Sequence, residues 1–148
     1  MSNAIVRPIR SLARRDRATR RIVSEAAFIV TAVRVALTVV PYTALRRMRG
    51  FVLRVASWLS KPSRDPQELA AAVRIASRHV PNATCLTQAL ALHFMMARRG
   101  IASRVTVGVA QRNGRLAAHA WIDQDGVVLI GGDVTPYHPL RRADERIT

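Results

Sequence analysis

The chain has a single cysteine, Cys85, in the run Asn82-Ala83-Thr84-Cys85-Leu86-Thr87-Gln88, where a helical pattern begins. His119 follows in Ala118-His119-Ala120-Trp121, within a strand-like stretch. A thiol paired with an imidazole is the raw material of a Cys-His hydrolase or acyltransferase, in which sulfur attacks a carbonyl carbon and the ring carries the proton. A helix start suits such a group, because unpaired N–H groups there carry partial positive charge and favour a thiolate. Asp133, just past the next strand, would orient the imidazole and complete a Cys85–His119–Asp133 set. Adjacent antiparallel strands lie about 4.8 Å apart, so a residue at the exit of one strand can touch a residue on its neighbour. Asp123 and Asp125 are rivals for the acid, although acidic residues are common in turns for conformational reasons alone. The backbone N–H of Cys85 and one further donor, Asn82 or Gln88, would hold a tetrahedral oxyanion.

Each residue also has a plainer explanation. A lone cysteine in an apolar helix is usually a small core residue, and a lone strand histidine is no stronger a signal. Their joint placement is what favours chemistry. The other histidines compete poorly for the base. His93 lies eight positions along the same helix, about 12 Å away at 1.5 Å per residue. His79 precedes Pro81 and suits a helix end, and His138 falls in a polar tail. No histidine or cysteine pair has ligand spacing, and Gly131-Gly132 is a turn signal rather than a phosphate loop. No metal and no cofactor are expected.

The elements that must bring these groups together follow from periodicity. The apolar stretch 26–45, entered through Ser24-Glu25, predicts an amphipathic helix with Ser24, Thr31, Arg34 and Thr38 on its polar stripe. It is long enough for a membrane span on paper, about 20 residues being needed, but Arg34 near its middle and Pro41 favour packing on the catalytic part. A shorter helix is expected from Phe51 to Ser60, then a linker over 61–66. Asp65 or a neighbour can cap a helix starting near Pro66 and running to about His79, with Leu69, Val73, Ile75 and Ala76 inward. In the helix 85–99, Leu86, Ala89, Leu90, Phe94 and Ala97 form the apolar repeat and Gly100 the stop. Val105, Val107 and Val109 alternate as a strand does. Asn113-Gly114 signals a hairpin, the returning strand spans Arg115 to Ile122, and a turn at 123–126 leads to Val127-Val128-Leu129-Ile130. The tail from 134 reads as irregular. Helices followed by a helix on an antiparallel meander make an α+β domain. The division expected is a basic helical arm over 1–61 and a catalytic core over 62–148.

With 148 residues and 49% hydrophobic content, one folded domain is expected and global disorder is excluded. One cysteine excludes an intramolecular disulfide and fits a reducing cytoplasm. The formal charge is +15, and of the 24 basic residues only Lys61 is lysine. Residues 1–61 hold 13 basic and 2 acidic residues, against 11 and 7 in the remainder. Such an arm suits anionic lipid or an acidic protein partner, or is simply a solvated face. A nucleic-acid partner is not expected, for no reading motif and no basic-aromatic interleaving is present.

Taken together, Cys85-Leu86, Ala89-Leu90-Ala91-Leu92, Arg98-Arg99-Gly100-Ile101, Val107-Gly108-Val109, Ala118-His119-Ala120-Trp121-Ile122 and Asp125-Gly126 resemble the lasso-peptide leader peptidases. These are transglutaminase-like cysteine proteases of lasso-peptide biosynthesis. The resemblance is dense over 82–133 and looser over the N-terminal helices, where Val39-Val40-Pro41-Tyr42 also fits. It implies a transglutaminase-like, papain-like core, with Cys85 as nucleophile, His119 as base and Asp133 as the closest match for the acid. It further implies removal of a leader from a ribosomally made precursor peptide. A separate leader-recognition protein would act beside it, since the first 60 residues show no three-stranded pattern. An ATP-dependent lasso cyclase would then close the ring. The expected setting is cytoplasmic, with membrane contact through the N-terminal helices as a further expectation. Two other functions compete: a transglutaminase or other acyltransferase using the same triad, and a non-enzymatic basic protein that binds membrane or nucleic acid.

Overall fold

Two turns organise the sheet. Asn113-Gly114 and Asp125-Gly126 take positive φ at both positions, 51° and 73° in the first pair and 51° and 79° in the second. This turn geometry has the twist that joins right-handed strands through two residues. In the computed structural model, which describes residues 17–40 and 65–140, these turns link β1 (Val105–Arg112) to β2 (Arg115–Gln124) and β2 to β3 (Val127–Ile130). A short β4 (His138–Pro139) returns to pair with β1, giving an antiparallel order β3-β2-β1-β4. Among the described residues three helices precede the sheet: α1 (Arg17–Val39), α2 (Pro66–Ser77) and α3 (Cys85–Ala97). The fold is α+β, as the periodicity predicts. The expected helix at 51–60, the start of the basic arm and the end of the tail lie outside the described residues.

Local chemistry sets the helix starts. The Asp65 carboxylate accepts the Gln67 N–H at 3.0 Å and Pro66 fills the first helical position of α2. Thr84 caps α3 by accepting the Thr87 N–H at 3.3 Å. This fixes Cys85 as the first helical residue, at the end where backbone N–H groups lack intrahelical partners. At the other end α2 stops at Ser77 and α3 at Ala97, each two residues short of the expected limit.

The face of α3 differs from expectation. Thr87, Ala89, Ala91, Leu92, Met95 and Met96 are buried, whereas Leu86, Leu90, Phe94 and Ala97 are only half-buried. The reason is that α3 runs between two layers, with α1 and α2 on one side and the sheet, chiefly β2, on the other. A helix wrapped from both sides needs apolar residues nearly all round, so a one-face repeat misassigns it. In α2, Leu69, Ala70, Ala72, Val73 and Ala76 are buried and Ile75 is half-buried.

The helix α1 begins at Arg17, seven residues before Ser24. Ile22, Ala26, Ile29, Val30 and Val33 recur at three- and four-residue spacing and are buried in the same core as α2, α3 and β2. The expected polar positions Ser24, Thr31 and Thr38 are exposed, but so are Phe28, Val35 and Val39, at 74%, 56% and 75%. By length and composition α1 could cross a bilayer over Thr19–Val39. In this fold its inner stripe is committed to the core.

One ionic contact locks α1 onto α3. The Glu25 carboxylate meets Arg98 Nη1 at 3.1 Å and Arg99 Nη2 at 3.0 Å, and Arg99 Nη1 also donates to the Met95 carbonyl at 2.9 Å. The Arg99 side chain is 3% exposed and that of Glu25 9%. Removing the carboxylate would leave two largely buried guanidinium groups facing each other, the costly way to break a buried pair. Glu25→Ala is expected to lose about 3 kcal/mol of unfolding free energy, read as a lower urea midpoint with unchanged slope.

Candidate active site

Cys85 lines a pocket of about 330 Å³. Cys85 and Gln88 contribute to it from α3, Arg74 from α2, His119 from β2, and residues 128–132 from β3 and the segment after it. So the cysteine and histidine, separated by 34 positions in the chain, line the same cavity. Cys85 is half-buried, packed against the core and lining the pocket.

His119 owes its setting to where the β2–β3 ladder stops. The last pair is Ile122 with Ile130, next to a register irregularity at Ile122/Asp123. Continued unchanged, the ladder would set Asp133 opposite His119. Instead Gly131 takes φ 125° and Gly132 φ 68°, and the chain bends away. A Cβ on Gly131 would lie 2.4 Å from Trp121 Cβ, so only glycine allows this close approach. The bend presents the Gly131 carbonyl to His119, whose Nε2 lies 2.6 Å from the oxygen. A carbonyl oxygen only accepts, so Nε2 carries the proton and donates. In the neutral ring the lone pair therefore resides on Nδ1, which becomes the basic nitrogen. Tyr137 stacks on the same ring, with centroids 4.8 Å apart and planes at 29°. Trp121 lies two residues along the strand, 5% exposed, its ring against Gly108 of β1.

Asp133 is not brought to the pocket wall. It is exposed, and its Oδ1 accepts the Thr135 N–H at 3.0 Å. Hydrogen bonds from the Thr135 hydroxyl and then its backbone hold the Asp133 carboxyl below the usual carboxylate value, with Arg112 adding to the effect and slight desolvation opposing it. Asp133 thus forms a local turn with Thr135, after the bend, while the contact to the ring comes from the Gly131 backbone carbonyl. Asp123 and Asp125 are exposed in the second hairpin, and Asp125 sits at the positive-φ turn position.

Of the two oxyanion donors, Gln88 lines the pocket and gives Nε2–H to the Ala83 carbonyl at 3.3 Å. Asn82 is exposed with φ 56° and is absent from the lining. His93 turns to Ser103 at 2.9 Å, His138 lies on the exposed β4, and His79 is exposed past the end of α2. Among the described residues no group of three His, Cys, Asp or Glu side chains could hold a metal ion.

Three participants escaped the sequence. Arg74 comes from a helix far from the motifs, and its Nη1 donates to the Leu129 carbonyl at 2.6 Å. Tyr137 lies in a tail without periodicity. The Gly131 carbonyl is a backbone group, and its only signal was the Gly131-Gly132 pair. Gly131→Ala should move either Trp121 or the bend and release His119. It is expected to cost about 1–3 kcal/mol of stability and to slow alkylation of Cys85 at neutral pH, as His119→Ala would. An unaltered alkylation rate in a folded Gly131→Ala protein would contradict this role for the carbonyl.

The comparisons agree with this architecture. The model of the transglutaminase-like superfamily matches residues 27–142, well over half of the chain. No curated protein and no solved structure matches significantly. The chain belongs to the transglutaminase-like superfamily, whose members include cysteine proteases and acyltransferases.

Proposed function

We propose that this transglutaminase-like chain is a cysteine endopeptidase that removes the leader from a lasso-peptide precursor. The observation that carries the chemistry is one pocket holding Cys85 at a helix start and a His119 ring oriented through Nε2. The substrate class rests on the motifs around Cys85 and His119 that resemble the leader peptidases.

Nδ1 of His119 takes the proton of the Cys85 thiol, and the sulfur attacks the carbonyl carbon of one amide bond. The oxyanion is met by the Cys85 backbone N–H, unpaired at the first position of α3, with the Gln88 side-chain amide beside it. The imidazolium returns its proton to the departing amine, leaving a thioester on Cys85. Water activated by the same nitrogen then hydrolyses the thioester, restores the thiol and frees the leader with a new carboxylate. Asp133 takes no direct part in this scheme and shapes the chain after the bend through its turn with Thr135. In this scheme a separate leader-recognition protein presents the precursor and an ATP-dependent lasso cyclase takes the freed core. The protein works in the cytoplasm, with the outward face of α1 as its point of membrane contact.

An acyltransferase would share every step to the thioester and differ only in the acceptor, an amine in place of water. Superfamily membership favours that alternative equally.

With precursor and recognition protein supplied, Cys85→Ala should fold normally and abolish cleavage, and retained cleavage would end the proposal. Product masses decide the acceptor: hydrolysis yields a leader with a free carboxylate, transfer a leader carrying the added amine. Asp133→Asn is expected to keep kcat within about tenfold of wild type, whereas His119→Ala should lose about 100-fold or more. A loss in Asp133→Asn as large as in His119→Ala would show that the carboxylate itself contacts the ring during turnover.

A further inference from the structure

Among the described residues, Arg74 is the only one of fixed charge in the pocket lining, and no aspartate or glutamate lines it. Its guanidinium is held at one corner, where Nη1 donates to the Leu129 carbonyl at 2.6 Å. The anchor matters, because Leu129 belongs to the edge strand β3 and lines the same cavity as Cys85. A guanidinium has five N–H donors in a planar fork. One is spent on Leu129, and among the described residues no second acceptor meets it. Arg74 is exposed and lines the pocket, so its remaining donors are available to a ligand there. A structural cap for one edge carbonyl would need a single donor. A pre-oriented fork with donors to spare, beside the partly positive start of α3 and without a competing carboxylate, is built to receive an anion.

We infer that Arg74 forms a carboxylate subsite, which reads an Asp or Glu side chain of the substrate close to the bond that Cys85 attacks. The inference rests on the proposed peptidase activity for its substrate, but the subsite itself can be tested without turnover. The chain's formal charge of +15 would favour the approach of such an acidic segment.

Because Cys85 is the only cysteine, paired alkylating reagents report on its surroundings. Iodoacetate carries a carboxylate and iodoacetamide is its neutral counterpart. Their rate ratio with the full-length protein, divided by the ratio for a small free thiol, measures attraction of a carboxylate to this pocket. The expected normalised ratio favours iodoacetate by at least about tenfold. It should fall to near unity in Arg74→Gln and stay intermediate in Arg74→Lys, which keeps the charge and loses the fork. A wild-type ratio at or below unity overturns the subsite, as does an unchanged ratio in Arg74→Gln. Should Arg74→Gln fail to fold, the wild-type ratio and Arg74→Lys still decide.

A competition arm identifies the source of the carboxylate. Capped hexapeptides containing one Glu should slow iodoacetate labelling more than their Gln counterparts. Protection only by a free chain terminus, lost on amidation, would overturn the side-chain assignment. A high iodoacetate ratio combined with no cleavage of any precursor would leave the subsite standing and reject the peptidase. Cleavage with no preference for acid over amide peptides, and a ratio of unity, would do the reverse.

Discussion

The bond from His119 Nε2 to the Gly131 carbonyl is the constraint on which the site depends. It exists because β3 is only four residues long and its ladder to β2 ends at Ile130. It also requires a residue at 131 with no side chain, since any Cβ would run into Trp121. Trp121 is in turn held against Gly108 of β1, and Tyr137 closes over the imidazole from the returning tail. The ring is therefore oriented by backbone and aromatic packing from β1, β2 and the segment between β3 and β4. A side-chain acid on the second nitrogen is one way to fix a tautomer, and a carbonyl held by a close-packed bend is another.

The proposed nucleophile, Cys85, is placed by independent means. Thr84 sets where α3 begins, and the core of Leu69, Val73, Leu92, Met95 and Met96 sets where α3 lies. The Glu25 cluster joins the far end of α3 to α1. Position along the helix and position of the helix are thus separately determined. A change in the core can shift Cys85 relative to His119 while leaving both residues intact. The Arg74 contact links α2 to β3 beside the pocket that both line.

What was legible in the sequence is what local chemistry dictates. Asn113-Gly114 and Asp125-Gly126 specify tight turns through their own φ preferences, and Asp65-Pro66 marks a helix start through one side-chain acceptor. Cys85 at a helix start and His119 on a strand followed from the same kind of signal. The errors lie where distant packing decides. Asp133 would face His119 in an ideal ladder, but the bend at Gly131-Gly132 answers to Trp121, ten residues earlier. The inner face of α3 was misassigned because burial from two sides erases a one-sided stripe. The pairing of β4 with β1 rests on two residues, one of them proline, too short to show a period. Arg74 was invisible because nothing near it in sequence points to the pocket.

The most direct test of the central claim is the tautomer of His119, measured by long-range proton–nitrogen correlation on the 15N-labelled Cys85→Ala protein with the imidazole in its neutral form. Without the thiol, no thiolate–imidazolium pair can obscure the neutral ring. The account predicts a protonated Nε2 and an unprotonated Nδ1. A ring protonated on Nδ1, or an even mixture of the two forms, would contradict it, since the basic nitrogen would then not be the one that the Gly131 carbonyl leaves free.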